Sequence, residues 1–311
     1  MLKLRVASFV RETDTITAIE LCSPDGELLP PFEAGSHIDL HLPSGLVRSY
    51  SLVNPQSERH RYLLGVARAK DGRGGSSYVH ERLRVGDVLD VESPRNLFRL
   101  HESEAPAVLI GGGIGITPLI SMAARLARLG RDWTLNYAVR TRSEAAFLPI
   151  LETYGTRVTL HCDDERGSVL NLKVIICSAA AGAHFYCCGP APMMRAFDDL
   201  TKTIQPERIH VEHFSPPNEV AVEKQYVVEL AKAGKTFVVP RGQTILETLT
   251  KAGFDLPHSC QQGICGACET RVIAGTPDHR DAILSPAERA ANQTMMICCS
   301  GSHSEKLILD I

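Results

Sequence analysis

The sequence of 311 residues has neither an excess of basic residues nor a long apolar run. Its 33 lysines and arginines are balanced by 36 aspartates and glutamates, which gives a formal net charge of -3. Such a balance leaves no surplus cations to neutralise a nucleic-acid backbone. The longest apolar stretch, residues 174–181, is interrupted by Cys and Ser and is far shorter than the roughly 20 residues that span a bilayer. We therefore expect neither a nucleic-acid partner nor a membrane span.

The first residues also lack the apolar stretch of roughly 7 to 15 residues that a secretory signal contains. Because residues 1–6 mix charged and apolar side chains, we expect a cytoplasmic protein. In that reducing compartment, the 10 cysteines point to metal ligation or redox chemistry before disulfides. Five of them lie in the last fifth of the chain, namely Cys260, Cys265, Cys268, Cys298 and Cys299.

The first module, residues 1–102, reads as an antiparallel barrel. Short runs that alternate apolar and polar side chains, such as residues 37–42, are separated by Gly, Pro and Asn. The polar stretch at residues 101–104, followed by Pro106, marks its boundary.

The second module, residues 103–214, alternates strand and helix patterns. Strands are predicted at 107–110, 134–139 and 158–161, and helices at 116–129 and 144–154. This alternation predicts a parallel sheet covered by helices on both faces.

The third module, residues 225–311, follows a linker at residues 215–224. The linker begins with Ser-Pro-Pro-Asn, which breaks both helices and strands. A hairpin pattern at residues 226–239 opens the module, and Thr244 and Glu247 then have the spacing of a helix capping box.

The strongest chemical signal is the run from Cys260 to Cys268, which has the spacing C-x4-C-x2-C and is followed by a distant fourth cysteine. This is the spacing of a plant-type 2Fe-2S cluster. A four-cysteine zinc site is the alternative, although such sites usually pair two C-x2-C motifs. Of the two adjacent candidates for the fourth ligand, Cys298 keeps the ferredoxin interval, whereas the side chain of Cys299 would point to the opposite side of an extended segment.

A glycine-rich turn, residues 111–118, lies between the strand at 107–110 and the helix at 116–129. Glycines let a pyrophosphate approach the backbone, and the helix N-terminus supplies N–H donors. The pattern differs from G-x-G-x-x-G, so a purely structural turn is the alternative. Residues 186–190, Tyr-Cys-Cys-Gly-Pro, end another predicted strand at the rim where ligands bind in open parallel sheets.

A third motif, residues 48–52, reads Arg-Ser-Tyr-Ser-Leu and is followed by a glycine- and serine-rich run at residues 72–77. Arginine and hydroxyl groups suit a phosphate, and a tyrosine can lie against an aromatic ring system. A surface arginine on a barrel strand is the alternative interpretation.

Together, in this order, the three motifs resemble those of phthalate dioxygenase reductase and its relatives, such as vanillate O-demethylase reductase. The resemblance covers nearly the whole chain and includes residues 93–98, 278–281 and 307–311. It implies a flavin barrel, a nucleotide domain of the ferredoxin reductase type and a C-terminal β-grasp ferredoxin.

The resemblance also implies the site residues. FMN would be held by Arg48, Ser49, Tyr50 and Ser51, by Val66, Ala67 and Arg68, and by the phosphate loop of Gly74, Gly75 and Ser76. The nicotinamide would be held by Gly112, Gly113, Ile114, Gly115 and Thr117, with Cys188, Gly189 and Pro190 near the reactive carbon and Phe214 beside the flavin. Cys188 and Thr117 would lie closest to the chemistry, and Cys260, Cys265, Cys268 and Cys298 would hold the cluster.

Two positions depart from the family pattern. Relatives commonly carry Glu where this chain has Gln261, and Arg where it has Gly301. Both positions are expected near the surface of the cluster. The partner preference and the reduction potential of the relatives' clusters are therefore not assigned to this chain.

These features predict the reductase component of a two-component Rieske-type oxygenase or demethylase. A monomer would pass electrons from NADH through FMN to the 2Fe-2S cluster and on to the oxygenase in a transient complex. The absence of a nucleophile or paired-carboxylate motif fits, because electron transfer needs no general base. NADH is expected on resemblance, although residues 140–143, Arg-Thr-Arg-Ser, contain cations that could tolerate the 2′-phosphate of NADPH. A stand-alone NADH:acceptor reductase and a zinc-stabilised binding protein are the alternatives.

Overall fold

The computed structural model describes residues 1–69, 74–215 and 219–311, which form two compact units, Met1–Phe214 and Ser215–Ile311. Gly72 and Arg73 of the predicted phosphate-loop run, and residues 216–218 of the predicted linker, lie outside the described residues. In the described part of the chain, no helix is both long and apolar enough to cross a membrane.

The first unit begins with six strands and one short helix. They are β1 (Leu2–Arg11), β2 (Ile16–Cys22), β3 (His37–His41), β4 (Val47–Ser51), β5 (Tyr62–Ala67), α1 (Gly75–Glu81) and β6 (Val88–Val91). The strands pair antiparallel in the order β4-β3-β6-β1-β2-β5. A bridge between Leu52 and Leu64 joins the two ends of this order and closes the barrel. The alternating side chains fill its interior, where Val6, Ile19, Ile38 and Leu64 are fully buried.

Five parallel strands with helices follow in the same unit. They are β7 (Ala107–Gly112), α2 (Ile116–Arg128), β8 (Trp133–Val139), α3 (Leu148–Glu152), β9 (Val158–Cys162), α4 (Asp163–Arg166), α5 (Leu172–Ser178), β10 (His184–Cys188), α6 (Ala191–Thr201) and β11 (Ile209–Glu212). The sheet order is β11-β10-β7-β8-β9, so the chain reverses direction across the sheet between β7 and β10. Ligands bind at such a switch point, outside the carboxyl ends of the strands.

Helix α3 is shorter than the helix predicted at residues 144–154. Phe147 adopts a left-handed backbone with φ 60°, and Pro149, in the first helical turn, has no N–H with which to continue a helix from the residues before Phe147. The Phe147 N–H donates to Glu12 Oε2 at 2.8 Å, which holds this backbone against the barrel. Local propensity did not predict the break, because the contact comes from 135 residues away.

The second unit contains a mixed sheet and two helices. Its elements are β12 (Tyr226–Leu230), β13 (Lys235–Val239), α7 (Ile245–Lys251), β14 (Glu269–Ala274), β15 (Pro277–Asp278), α8 (Pro286–Ala291), β16 (Thr294–Met296), β17 (Gly301–Ser302) and β18 (Lys306–Leu309). The order is β13-β12-β18-β14-β16, with β12 and β18 parallel, and α7 begins at the predicted Thr244–Glu247 capping box. The predicted fold class of antiparallel barrel, parallel sheet and β-grasp unit is confirmed.

Residues 219–222, inside the predicted linker, pack within the second unit. Ala221 is buried, and its N–H donates to the Cys299 carbonyl at 2.9 Å. The Val222 carbonyl accepts from Gly242 at 2.9 Å. This part of the segment is therefore structured, which the proline-based boundary did not predict.

Candidate functional site

Arg48 of β4 lies over the first residue of α1. A side chain on Gly75 would place its Cβ 2.7 Å from Arg48 Cγ, so only glycine lets the arginine cross there. The guanidinium and the N–H groups of the first helical turn together fit an anion. Gly74 begins this turn with φ 86°, and Ser76 Oγ accepts from the Ala69 N–H at 3.1 Å, which ties the turn to the end of β5.

The next two residues of β4 are fixed by burial and hydrogen bonding. Ser49 Oγ donates to Asp39 at 2.5 Å, and this fully buried carboxylate also pairs with Arg95. Burial raises the pKa of the half-buried Tyr50 to about 12, so its ring presents a neutral phenol. A cation at residue 48 and a neutral aromatic side chain two positions farther along β4 fit the phosphate and the ring of a flavin mononucleotide.

The carboxyl ends of β7 and β10 meet almost backbone to backbone. A Cβ on Gly112 would come 2.6 Å from Pro190 Cδ, and one on Gly115 would come 2.8 Å from the Gly189 nitrogen. Gly113 has φ 53°, with nothing within 4 Å of a Cβ built there. The turn is therefore close-packed on one side and open on the other, which leaves bare backbone for a dinucleotide to approach.

At the same edge, a barrel strand reaches the last strand of the parallel sheet. Ser51 Oγ donates to Glu212 Oε2 at 3.4 Å, and Glu212 pairs in register with Cys188. Burial raises the pKa of Glu212 to about 8 and that of the Cys188 thiol well above its usual value. Both side chains are therefore mainly protonated at neutral pH, and neither adds a negative charge beside the nucleotide turn.

Glu212 is a site residue that the sequence interpretation missed. The signal was present, because an acidic residue that ends the last strand of a parallel sheet lies on the rim where ligands bind. Without the strand order, however, nothing joined this position to Ser51 or Cys188.

Among the other predicted nucleotide and flavin residues, Thr117 and Phe214 pack in the first unit, whereas Arg68 is exposed. Thr117 is buried in the first turn of α2, donates to the Ile114 carbonyl at 3.0 Å, and lies against Gly65 of β5. Phe214 packs on the core shared by the barrel and the parallel sheet. Arg68, in contrast, is exposed and pairs with Glu81 of α1.

The four predicted cluster ligands lie together in the second unit. Cys260, Cys265, Cys268 and Cys298 are each 3–5% exposed. Hydrogen bonds from the thiols of Cys265 and Cys298 lower the pKa of Cys260, and one from Cys298 lowers that of Cys268. The Gln262 N–H also points at Cys260 Sγ, at 3.3 Å. Buried sulfurs surrounded by N–H donors are what an iron-sulfur cluster requires.

Their spacing does not suit a single zinc ion. Four thiolates at about 2.3 Å from one tetrahedral ion would lie within about 4 Å of one another. Among the described residues, the only group of three or more ligand atoms within 4.8 Å of one another is Cys162, Asp164 and Glu165. No three of the four cysteine sulfurs meet that criterion, although Cys260 is in hydrogen-bond contact with both Cys265 and Cys298.

Cys299 packs against the cluster loop, and its thiol also lies in hydrogen-bond contact with that of Cys298. Its Sγ contacts the Met296 carbonyl at 3.7 Å, and a Cβ on Gly263 would lie 2.5 Å from that sulfur. The Cys299 side chain therefore packs against the cluster loop at Gly263. The choice of Cys298 as the fourth ligand stays a prediction.

The two departures from the family pattern have different surroundings. Gln261 is exposed and has a left-handed backbone with φ 53°. Gly301 is buried, and a Cβ there would lie 2.8 Å from that of Ala221. An arginine at 301 would displace the segment that precedes the second unit's first strand.

Two family models match the chain. The 2Fe-2S iron-sulfur cluster binding domain matches residues 228–301, and the oxidoreductase NAD-binding domain matches residues 109–199. The chain is 49% identical over 308 residues to the phenoxybenzoate dioxygenase subunit beta of Ectopseudomonas oleovorans, covering 99% of this chain and 97% of that protein. It is 45% identical over 315 residues to the tetrachlorobenzoquinone reductase of Sphingobium chlorophenolicum, covering 99% and 97%.

A solved structure agrees over the whole chain. Phthalate dioxygenase reductase, described as a modular structure for electron transfer from pyridine nucleotides to a 2Fe-2S cluster, matches with a TM-score of 0.77 and 35% identity. The match covers 100% of this chain and 98% of that one.

Proposed function

Because the chain belongs to the phthalate dioxygenase reductase family, we propose that it is the reductase component of a two-component Rieske-type oxygenase or demethylase. It takes electrons from NADH, passes them through FMN to its own 2Fe-2S cluster, and delivers them in a transient complex. We propose further that it acts as a cytoplasmic monomer, with modules at residues 1–102, 103–214 and 225–311.

One observation carries this proposal: a single chain combines the Arg48 and α1 anion corner, the switch-point turn and the four-cysteine loop. The first two lie in the first unit, where Ser51 of the barrel reaches Glu212 of the parallel sheet. FMN supplies the conversion of a hydride, which carries two electrons, into single electrons that a 2Fe-2S cluster can accept.

The residues of the first unit bind and orient the two cofactors. Arg48 and the Gly74–Ser76 turn hold the FMN phosphate, and Tyr50 lies against the ring. The bare backbone at Gly112–Gly115 takes the pyrophosphate of NADH, and Thr117 and Cys188 border its nicotinamide. Because Cys188 and Glu212 are mainly protonated, neither side chain presents a negative charge to the nicotinamide.

The four cysteines hold the cluster through which electrons leave. A plant-type cluster near roughly -400 mV is reducing enough for a Rieske centre at about -150 mV or above.

The test is turnover with a purified Rieske oxygenase component of the same family of systems. We expect NADH-dependent product formation that is lost in Cys298→Ser, while that variant still reduces ferricyanide with NADH. Oxygenase turnover that survives loss of the cluster would contradict the proposed electron path.

A second candidate is a stand-alone NADH:quinone reductase. It is favoured by the 45% identity to a protein named tetrachlorobenzoquinone reductase. Rapid quinone reduction that equals or exceeds electron delivery to every oxygenase tested would favour this function over the first.

A further inference from the structure

The carboxyl ends of β8 and β9 lie beside the nucleotide turn and carry an unusual concentration of charge. Arg140, Thr141, Arg142 and Ser143 follow β8, and Asp163, Asp164 and Glu165 follow β9. In open parallel sheets, the strand next to the glycine turn ends where the adenosine ribose of a dinucleotide lies, and an arginine there accommodates the 2′-phosphate of NADPH. On the proposed function, these residues therefore face the one group that distinguishes NADPH from NADH.

Arg142 is held there by a carboxylate. Its Nε donates to Glu165 Oε1 at 2.8 Å and its Nη2 to Glu165 Oε2 at 2.9 Å. Both side chains are exposed, at 60% and 44%, so the pair faces solvent at the sheet edge. A two-point contact of this geometry uses the same face of the guanidinium that a phosphate would take.

The backbone of α4 holds Glu165 in place. The Asp164 N–H donates to the Arg140 carbonyl at 3.0 Å, which fastens the start of α4 to the end of β8. The Glu165 N–H donates a hydrogen bond to Asp164 Oδ1 at 2.9 Å. The Arg142 guanidinium keeps the pKa of Glu165 below its usual value, so this carboxylate stays ionised across the working pH range.

The geometry points to Glu165 as the residue that sets the nucleotide preference of this chain, by occupying Arg142. The 2′-hydroxyl of NADH needs no cation and leaves the pair intact. The 2′-phosphate of NADPH meets an arginine whose Nε–Nη2 edge is already occupied and whose charge is already paired, together with the negative charges of Asp163 and Asp164. This inference rests on the proposed binding of NADH at this edge.

The experiment compares specificity constants for NADH and NADPH, with ferricyanide as acceptor, in wild type and in Glu165→Gln. The matched control is Glu102→Gln. Glu102 also binds an arginine at two points, with both distances to Arg125 being 2.6 Å, but it precedes β7 and so lies at the opposite edge of the sheet. Arg142→Gln and the double variant E165Q/R142Q complete the set.

We expect Glu165→Gln to raise the specificity constant for NADPH by about tenfold to a hundredfold, the range of a freed charge-assisted hydrogen bond, and to leave that for NADH nearly unchanged. Glu102→Gln should change neither. The gain should disappear in E165Q/R142Q, because it depends on Arg142. A second readout is inhibition by 2′,5′-ADP, which should strengthen in Glu165→Gln while inhibition by 5′-ADP does not.

A gain in NADPH use no larger than that of Glu102→Gln, or one that survives in the double variant, would overturn the inference. In the latter case, Arg140 would be the cation that receives the phosphate. If wild type oxidises neither nucleotide, the proposed function itself fails, and this outcome is distinct from NADH oxidation with an unaltered preference.

Discussion

Ser51, at the end of a barrel strand, donates a hydrogen bond at 3.4 Å to Glu212, at the end of the last strand of the parallel sheet. The two residues are 161 positions apart, and their contact brings the flavin-binding barrel to the edge where the nucleotide turn lies. Cys188 pairs with Glu212 in register, so the three side chains mark one place where both cofactors would meet.

Glu212 predicts a pH-dependent stability. Burial raises its pKa from 4.5 to about 8 in the folded chain. The unfolded chain therefore ionises first, so the carboxyl group destabilises the fold increasingly from about pH 4.5 to about pH 8. Glu212→Gln should gain thermal stability relative to wild type as the pH rises from about 4.5 to about 8, as measured by flavin release on heating. The exposed Glu207→Gln is the control. If the melting temperatures of wild type and Glu212→Gln change equally with pH, the prediction is contradicted.

Arg48 predicts the affinity for FMN. A charge-assisted hydrogen bond contributes about 1.5 to 3 kcal/mol, so Arg48→Ala should weaken FMN binding by about tenfold to a hundredfold. Iron content should stay at the wild-type level. The measurement is flavin retained after dialysis, with Arg82→Ala, an exposed arginine at the opposite end of α1, as control. Full retention of flavin by Arg48→Ala would show that this corner does not hold the phosphate.

The two adjacent cysteines predict opposite outcomes. Cys298→Ser should lose most of its iron, because its sulfur lies with those of Cys260 and Cys268 and a thiolate is the required ligand. Cys299→Ser should keep iron, since its sulfur packs behind Gly263. The measurement is the iron content of the two purified variants. Equal loss of iron in both would refute the assignment of Cys298 as the fourth ligand.

We expect the chain truncated after Ser215 to accept hydride from NADH. Residues 219–222 pack with the second unit, so this cut leaves the first unit, Met1–Phe214, intact. The shortened chain should bind FMN and reduce ferricyanide with NADH, but reduce cytochrome c poorly, because the one-electron exit is missing. An FMN-bound truncation that does not oxidise NADH would place an essential residue in the second unit.

Features that depend on short sequence spacing were predictable. The cysteine run and the Thr244–Glu247 capping box are local, so spacing alone indicated the loop around the cluster and the start of α7. The glycine turn was recognised because it separates a buried strand from an amphipathic helix.

Features made by distant contacts were not predictable. The left-handed Phe147 that shortens α3 depends on Glu12, and Glu212 gains its role only through Ser51 and Cys188. Arg142 looked available to a phosphate because its partner Glu165 comes from the end of a different strand. In each case the sequence shows the residue, and the strand order supplies its partner.

The central claim is that one chain passes electrons from NADH through a flavin to its own 2Fe-2S cluster, and anaerobic addition of NADH to the purified full-length chain tests it most directly. Absorption and electron paramagnetic resonance are recorded on the same sample. The account predicts that NADH bleaches the flavin absorption and produces the signal of a reduced cluster, whereas Cys298→Ser shows only the flavin change. A colourless, zinc-containing protein, or a flavin that NADH reduces while the cluster stays oxidised, would contradict it.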